Sequence, residues 1–347
     1  MKALVLTELG GPDQLRIAEM PAPTLQHDDD VLVRVHAAGL NHLDLFVLGG
    51  LPGITYNFPH IVGSDAAGTI AALGPAAAAW GWSIGDRVMI NPGIGCDQCE
   101  YCAADQQPLC KRYSLLGEHQ AGTAAEFVVV PVRNIARVPD EMNWATAAAF
   151  SLVTLTAWRM LTGRARLKAG ETVLIWGIGG GVAQACVQIA RLLGGTSIVT
   201  SSSDAKLERA RALGADHLVH HAREDVPTAV RALTRGRNAD VVVDTVGEET
   251  WGRSLRCLGR GGRLVTCGGT SGPMVTTDVR KLFWYQWDIL GSTMGSDREY
   301  QEVARHAYEG RLWPVVDSIV ALPEGAAAFR RMADGEQFGK LVIEVAA

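Results

Sequence analysis

From Glu171 onward the chain alternates short apolar, β-rich runs with helical segments, and no other feature restricts its fold so tightly. The six runs are TVLIWG, SIVTSS, DHLVHH, DVVVDTVG, RLVTCGG and DILGSTM. Strands that are apolar throughout, rather than on every second residue, need cover on both faces, and the intervening helices can supply it. The expected fold class is therefore α/β, with a doubly wound, six-stranded parallel sheet.

Upstream the texture differs. In DDDVLVRVHAAGLN, Val31, Val33 and Val35 alternate with Leu32, Arg34 and His36, the period of a half-buried strand. GDRVMIN and AEFVVVP continue the series between Gly, Pro and Asp, so this half reads as a β-barrel or partly open barrel. Near Met142 an Ala- and Leu-rich helical run, NWATAAAFSLVTLTAWRML, marks the junction. Strand-like VVDSIVALP and GKLVIEV around a short helix are expected to return to the first domain. The expected domains are 1–150, with a cysteine lobe over 93–113, then 151–295, then a returning segment 296–347. A chain of 347 residues is long enough for two cores.

Composition narrows the partners. A formal net charge of -5 with scattered Lys and Arg gives no electrostatic support for binding nucleic acid. The opening MKALVLTE lacks a leader's apolar core, and no apolar stretch reaches the roughly 20 residues that span a bilayer. The expectation is a cytoplasmic protein with no membrane partner, whose seven cysteines serve as thiols or metal thiolates.

After TVLIWG comes G-I-G-G-G-V-A and then a helix with Val182, Cys186, Ile189 and Leu193 on one side. Glycines between a strand and a helix let backbone approach a pyrophosphate, whose charge meets the free N–H groups of the helix start. Gly177, Gly180 and Ala183 fit a G-x-x-G-x-x-A frame better than Gly177, Gly179 and Val182 fit G-x-G-x-x-G; Gly181 completes the turn. An NAD site usually has Asp or Glu at the tip of the second strand, for the ribose 2′-OH. Here the tip is Ser201, Ser202 and Ser203, with Lys206 beyond, which favours NADP(H) over NAD. The plainer alternative is that these serines only cap the next helix. Gly268, Gly269 and Thr270, and Ser292 and Thr293, follow the fifth and sixth runs and are expected to contact the nicotinamide.

Between Cys96, Cys99, Cys102 and Cys110 lie two, two and seven residues. Four thiolates suit tetrahedral zinc and leave no open position, so the site is expected to be structural, with one Zn2+ per chain. Cys186, Cys257 and Cys267 read as core residues.

The β-rich first half, this cysteine spacing and the later dinucleotide pattern together resemble the medium-chain dehydrogenase/reductase superfamily. The resemblance implies a GroES-like β-barrel catalytic domain beside a Rossmann domain. Zinc alcohol dehydrogenases of that superfamily carry a second, catalytic zinc on a Cys, a His and a Cys. The matching segments here are GLNHLD, GSDAAG and FSLVTLTAW, which put Asn41, Ser64 and an apolar residue near Leu152 in those places. Amide, hydroxyl and hydrocarbon are not the soft ligands zinc selects, so no catalytic zinc is expected. His42, His60 and Asp65 are the residues from which a different metal site would have to be built.

The G-x-N-x-x-D and G-S-D-x-x-G segments look like the quinone oxidoreductase and zinc-independent enoyl reductase branch. That resemblance implies NADPH-dependent hydride transfer to a small-molecule enone, enal or quinone. Asn41 is then the expected hydrogen-bond donor, His42 and Tyr56 the candidate proton donors, and Asp44 a supporting group of the same segment. Phe338, Gly339 and Lys340 resemble the family's C-terminal, cofactor-adjacent segment. Two alternatives stand beside this reading: an alcohol dehydrogenase or carbonyl reductase, and a non-catalytic NADPH-binding protein. The family and the exposed edge of a sixth strand suggest a homodimer or homotetramer. Trp284, Tyr285 and Trp287 line a pocket or pack in a core or interface.

Overall fold

The computed structural model describes residues 1–345, in two compact units. One is formed by Met1–Val153 with Gly295–Ala347, the other by Thr154–Met294.

In the second unit the six apolar runs become strands β1 (Thr172–Ile175), β2 (Thr196–Ser201), β3 (His217–His220), β4 (Ala239–Val243), β5 (Leu258–Thr266) and β6 (Asp288–Gly291). They pair in the order β3-β2-β1-β4-β5-β6, every pair parallel. Position in the sheet accounts for burial. β1 is buried along its whole length, whereas β6, at an edge, is mostly exposed. Leu174, Val242 and Leu264 pack with Trp251 and Trp287 in the core of this unit.

The first unit contains a seven-stranded sheet centred on the long strand Asp30–Gly39. That strand pairs antiparallel with Asp65–Leu73 on one side, and with Phe127–Pro131 and Lys340–Glu344 on the other. The returning segment thus adds Lys340–Glu344, and parallel to it Val316–Ala321, to the sheet. Sequence reading missed the helix Asp297–Tyr308, which starts at Ser296 with a capping box to Glu299. The helical run at the junction is also not continuous. It forms Trp144–Ala148 and Ser151–Trp158, separated at Ala149 and Phe150. The first of these packs tightly on the central strand: a Cβ at Gly39 would meet the Ala148 carbonyl oxygen at 2.3 Å.

Candidate functional site

Three segments of the first unit meet at one carboxylate. Asp65, fully buried, begins its strand; its Oδ1 accepts the Leu152 N–H at 2.8 Å, and its Oδ2 accepts from Asn41 Nδ2 at 3.0 Å. The same Oδ2 lies 3.0 Å from the Lys340 ammonium, which also donates to Asn41 Oδ1 at 2.5 Å. Leu152 contributes its backbone and Asn41 its whole amide, so the matched segments do come together, around an ion pair. Thr123 fastens the strand start by donating to the Asp65 carbonyl at 2.9 Å.

The Asn41 amide has a further internal partner. Its second amide hydrogen points to the Gly39 carbonyl at 3.4 Å, and the residue is 4% exposed. Both ends of the Asn41 amide are thus engaged inside the protein, and the Lys340 charge is buried against Asp65.

Asn41 precedes the helix His42–Gly49, and its N–H donates to Asp44 Oδ2 at 2.7 Å. Ser64 Oγ is 3.5 Å from Asp44 Oδ1. Burial pushes the Asp44 carboxyl up to about 7; the Asn41 N–H and the Lys340 charge oppose that rise, and the Asp65 charge adds to it. Asp44 is buried at the helix start. His42 is exposed, edge-to-face with Phe46 at 5.3 Å, and desolvation holds its pKa below the ordinary histidine value. Tyr56 lies in a loop with its ring 5.2 Å from that of His60, and its hydroxyl is buried with no hydrogen-bond partner. His60 itself is engaged with the Gly117 carbonyl at 2.9 Å.

Between strand and helix of the second unit, Gly177 has φ 67°, a conformation that favours glycine. A Cβ there would meet nothing within 4 Å, and one at Gly180 only the Gly177 carbonyl at 3.9 Å. Gly180 is the N-cap of Gly181–Leu192 and offers no side-chain acceptor to the helix start. This open cradle and uncapped helix start fit a dinucleotide pyrophosphate; Gly179 lies in the turn, and Gly181 and Val182 open the helix.

At the tip of β2 the serines divide. Ser201 is buried and accepts the Ser203 N–H at 3.1 Å, while Ser203 caps the next helix by accepting the Lys206 N–H at 3.4 Å. Only Ser202 is exposed. Asp204, the first carboxylate past the tip, is paired with Arg223 through both of its oxygens. At the ends of β5 and β6, the Gly268 N–H lies 3.4 Å from Thr266 Oγ1, the Thr270 N–H 3.3 Å from the Thr245 carbonyl, and the Ser292 N–H 2.8 Å from the Thr266 carbonyl. The Gly269 carbonyl accepts from the Gly272 N–H at 3.1 Å; Ser292 Oγ is buried without a partner, and Thr293 is exposed. Trp287 donates to the Gly259 carbonyl at 2.8 Å and stacks with Tyr285 at 5.1 Å, whereas Trp284 is exposed.

The ligand atoms of Cys96, Cys99, Cys102 and Cys110 all lie within 4.8 Å of one another, with Cys96 and Cys102 sulfurs 4.0 Å apart. A tetrahedron with Zn–S bonds of about 2.3 Å has edges of about 3.8 Å, so the cluster fits the ion closely. The Arg112 N–H donates to Cys110 Sγ at 3.3 Å, as suits a thiolate. Among the described residues no other group of three or more His, Cys, Asp or Glu has this proximity; His42, His60 and Asp65 do not form one.

The pairing of Asp65 with Lys340 escaped sequence reading, although each residue stood in a segment already singled out. Their positions 275 apart in the chain carry no local signal.

Residues 27–140 match the family described as the alcohol dehydrogenase GroES-like domain, and residues 181–309 the one described as zinc-binding dehydrogenase. An NAD-dependent alcohol dehydrogenase of Sulfolobus acidocaldarius is 30% identical over 352 residues, covering 99% of this chain and 100% of that protein. A crotonyl-CoA reductase of Streptomyces avermitilis is 30% identical over 356 residues, covering 91% and 78%. A crystal structure described as an NAD-dependent alcohol dehydrogenase superposes with a TM-score of 0.95 at 40% identity, covering both chains completely.

Proposed function

The chain belongs to the medium-chain dehydrogenase/reductase superfamily, and on that premise we propose that it is an NADPH-dependent reductase acting on an enone, an enal or a quinone without a catalytic metal. The observation that carries this reading is the Asn41–Asp65–Lys340 network: Asn41 and Asp65 stand in two of the three segments where the family's zinc alcohol dehydrogenases hold their catalytic ion, Leu152 of the third is bound to Asp65, and Lys340 of the returning segment brings a positive charge among them. A buried ammonium beside a hard carboxylate and an amide is a poor neighbourhood for a soft-ligand cation.

The nicotinamide cofactor supplies the hydride. Gly177 and Gly180 leave room for its pyrophosphate, and the N–H groups that open Gly181–Leu192 face the negative charge. Tyr56, with its buried hydroxyl, and the exposed His42 hold the proton for the substrate or steady the charge on its conjugated oxygen. Asp44 holds the backbone at Asn41, next to His42, and Asp65 holds that at Leu152. NADP(H) is preferred to NAD because no carboxylate stands at Ser201–Ser203 and Arg223 neutralises Asp204.

The relative named for reduction of crotonyl-CoA, a conjugated thioester, supports this chemistry. The relatives named as NAD-dependent alcohol dehydrogenases favour a second reading, oxidation of an alcohol or reduction of its carbonyl product. No helix among the described residues is long and apolar enough to cross a membrane, and seven free cysteines agree with a cytoplasmic setting. Assembly as a homodimer is supported by the exposed edge β6 and its neighbours Val279, Phe283 and Trp284.

The test is steady-state turnover of NADPH and NADH with enones, enals, 1,4-quinones, aldehydes and ketones, beside metal analysis of chelator-washed protein. Conjugated acceptors with NADPH and one zinc per chain are expected. Turnover of alcohols and simple carbonyls alone, or two zincs per chain, would refute the reading.

A further inference from the structure

The cysteine lobe does more than close on itself. Just beyond Cys102, Asp105 accepts from Ser296 Oγ at 2.9 Å and from the Arg298 N–H at 3.3 Å, with the Arg298 guanidinium 2.9 Å away. Gln107 Oε1 accepts the Asp297 N–H at 3.4 Å. Arg133 ties both sides together: it lies 3.8 Å from Asp297, 3.8 Å from Asp97 and 3.1 Å from Asp29, and donates to the Gly95 carbonyl at 3.3 Å. These contacts gather on the start of the helix Asp297–Tyr308, where Ser296 Oγ also accepts the Glu299 N–H at 3.2 Å.

One turn into that helix the contacts continue inward. Tyr300 is fully buried; its hydroxyl donates to the Met89 carbonyl at 2.9 Å and lies 3.1 Å from Ser151 Oγ. The next residue, Leu152, gives its N–H to Asp65. An unbroken path of hydrogen bonds and one rigid helix therefore runs from the metal lobe to the carboxylate that holds Asn41 and Lys340.

We infer that metal loading of the cysteine lobe positions Asp65 through the helix Asp297–Tyr308, with Asp105 and Tyr300 as the positioning residues. A short lobe with four thiolates owes its folding to the ion, because ligand binding and folding are one equilibrium there. When the lobe frays, Asp105 and Gln107 release the helix start, and the helix moves as a unit because its buried face is close-packed. Tyr300 then loses its hold on Ser151, and the Leu152 N–H its alignment with Asp65. The inference holds whichever substrate the chain reduces or oxidises.

The experiment is amide hydrogen exchange on the full chain, zinc-loaded and after chelation. Exchange is expected to rise by about tenfold or more at residues 296–301 and 149–153 as well as in the lobe. A rise confined to the lobe would overturn the inference. Should chelation unfold the whole unit, Asp105→Asn with its zinc verified gives the second arm: faster exchange at 296–301 and 149–153 with a protected lobe is expected, and unchanged exchange there overturns the proposal. In Tyr300→Phe, loss of zinc should still loosen 296–301 but no longer change 149–153. A merely structural tyrosine would not break that coupling, and persistence of the change at 149–153 counts against it.

Discussion

Lys340→Met tests the network at its charge. The ammonium is 3% exposed and Asp65 is 0% exposed, so neither group has water to fall back on when its partner is lost. At 3.0 Å the attraction is about 5 kcal/mol with an effective dielectric constant near 20. Removing one member of a buried pair costs about 3–5 kcal/mol, most of it from the charge left behind. Asp65 keeps the Leu152 N–H at 2.8 Å and the Asn41 amide at 3.0 Å, which places the expected loss at the low end, about 3 kcal/mol. For a unit of roughly 200 residues this lowers the thermal midpoint by about 6–12 °C.

The matched control is Asp65→Asn with Lys340→Met, which removes both charges and keeps an amide against Leu152 and Asn41. It is expected to cost about 1 kcal/mol, so the second substitution should restore much of what the first destroys. Urea unfolding of the wild type, both single variants and the double variant gives the coupling directly. A loss under about 1 kcal/mol for Lys340→Met, or a double variant no better than the single, would refute the buried-pair account.

Asp44 carries a pH signature. Its folded pKa of about 7 stands above the ordinary 3.8, so between those values the folded chain holds a proton that the unfolded chain has released. The group's contribution to stability is full below about pH 4 and is lost as pH rises toward 7, by on the order of 1.4 kcal/mol per unit. Asp44→Asn should flatten the urea midpoint across this window, and an unchanged slope would dismiss the shift. Ser201→Asp places a carboxylate at the tip of β2 and should move the NADPH-to-NADH ratio of kcat/KM by about 100-fold toward NADH, read by steady-state kinetics. Gly180→Val fills the cradle where a Cβ now meets only the Gly177 carbonyl at 3.9 Å, so cofactor binding by fluorescence should vanish while the thermal midpoint stays within about 2 °C. Retained binding would mean that the pyrophosphate lies elsewhere.

What could be read in the sequence was local or periodic. Apolar runs identified the four central strands of the parallel sheet, because burial on both faces leaves no room for polar alternation, and the edge strands β3 and β6 were read from their place in the same alternation with helices. The four cysteines stood out because close spacing along the chain keeps their sulfurs close in space. The serines at the β2 tip were only half legible. Their hydroxyls were visible, but the Ser201 and Ser203 oxygens accept backbone N–H groups of the local turn and helix cap. The break at Ala149 was hidden because alanine favours a continuous helix; in the structure the Ala148 carbonyl lies against Gly39 and the Leu152 N–H goes to Asp65. Tyr300, Ser151 and Leu152 were invisible as a group, since their relation exists only once the returning segment has folded back.

Asn41, Ser64 and Leu152 stand where the zinc enzymes of the family carry three metal ligands. Instead Asp65 draws in Lys340, and the positive charge that a metal would contribute is supplied by a group fixed 3.0 Å from a carboxylate. An ammonium so held cannot act as a Lewis acid with an open position, and its field is largely cancelled by Asp65. An isolated carbonyl then receives little polarisation from this part of the site. A conjugated acceptor needs less, because its negative charge spreads over the whole enolate or quinol system, and in the proposed reading Tyr56 and His42 are the side chains that hydrogen-bond to it. The same ion pair that braces Asn41 thereby argues for acceptors activated by their own conjugation.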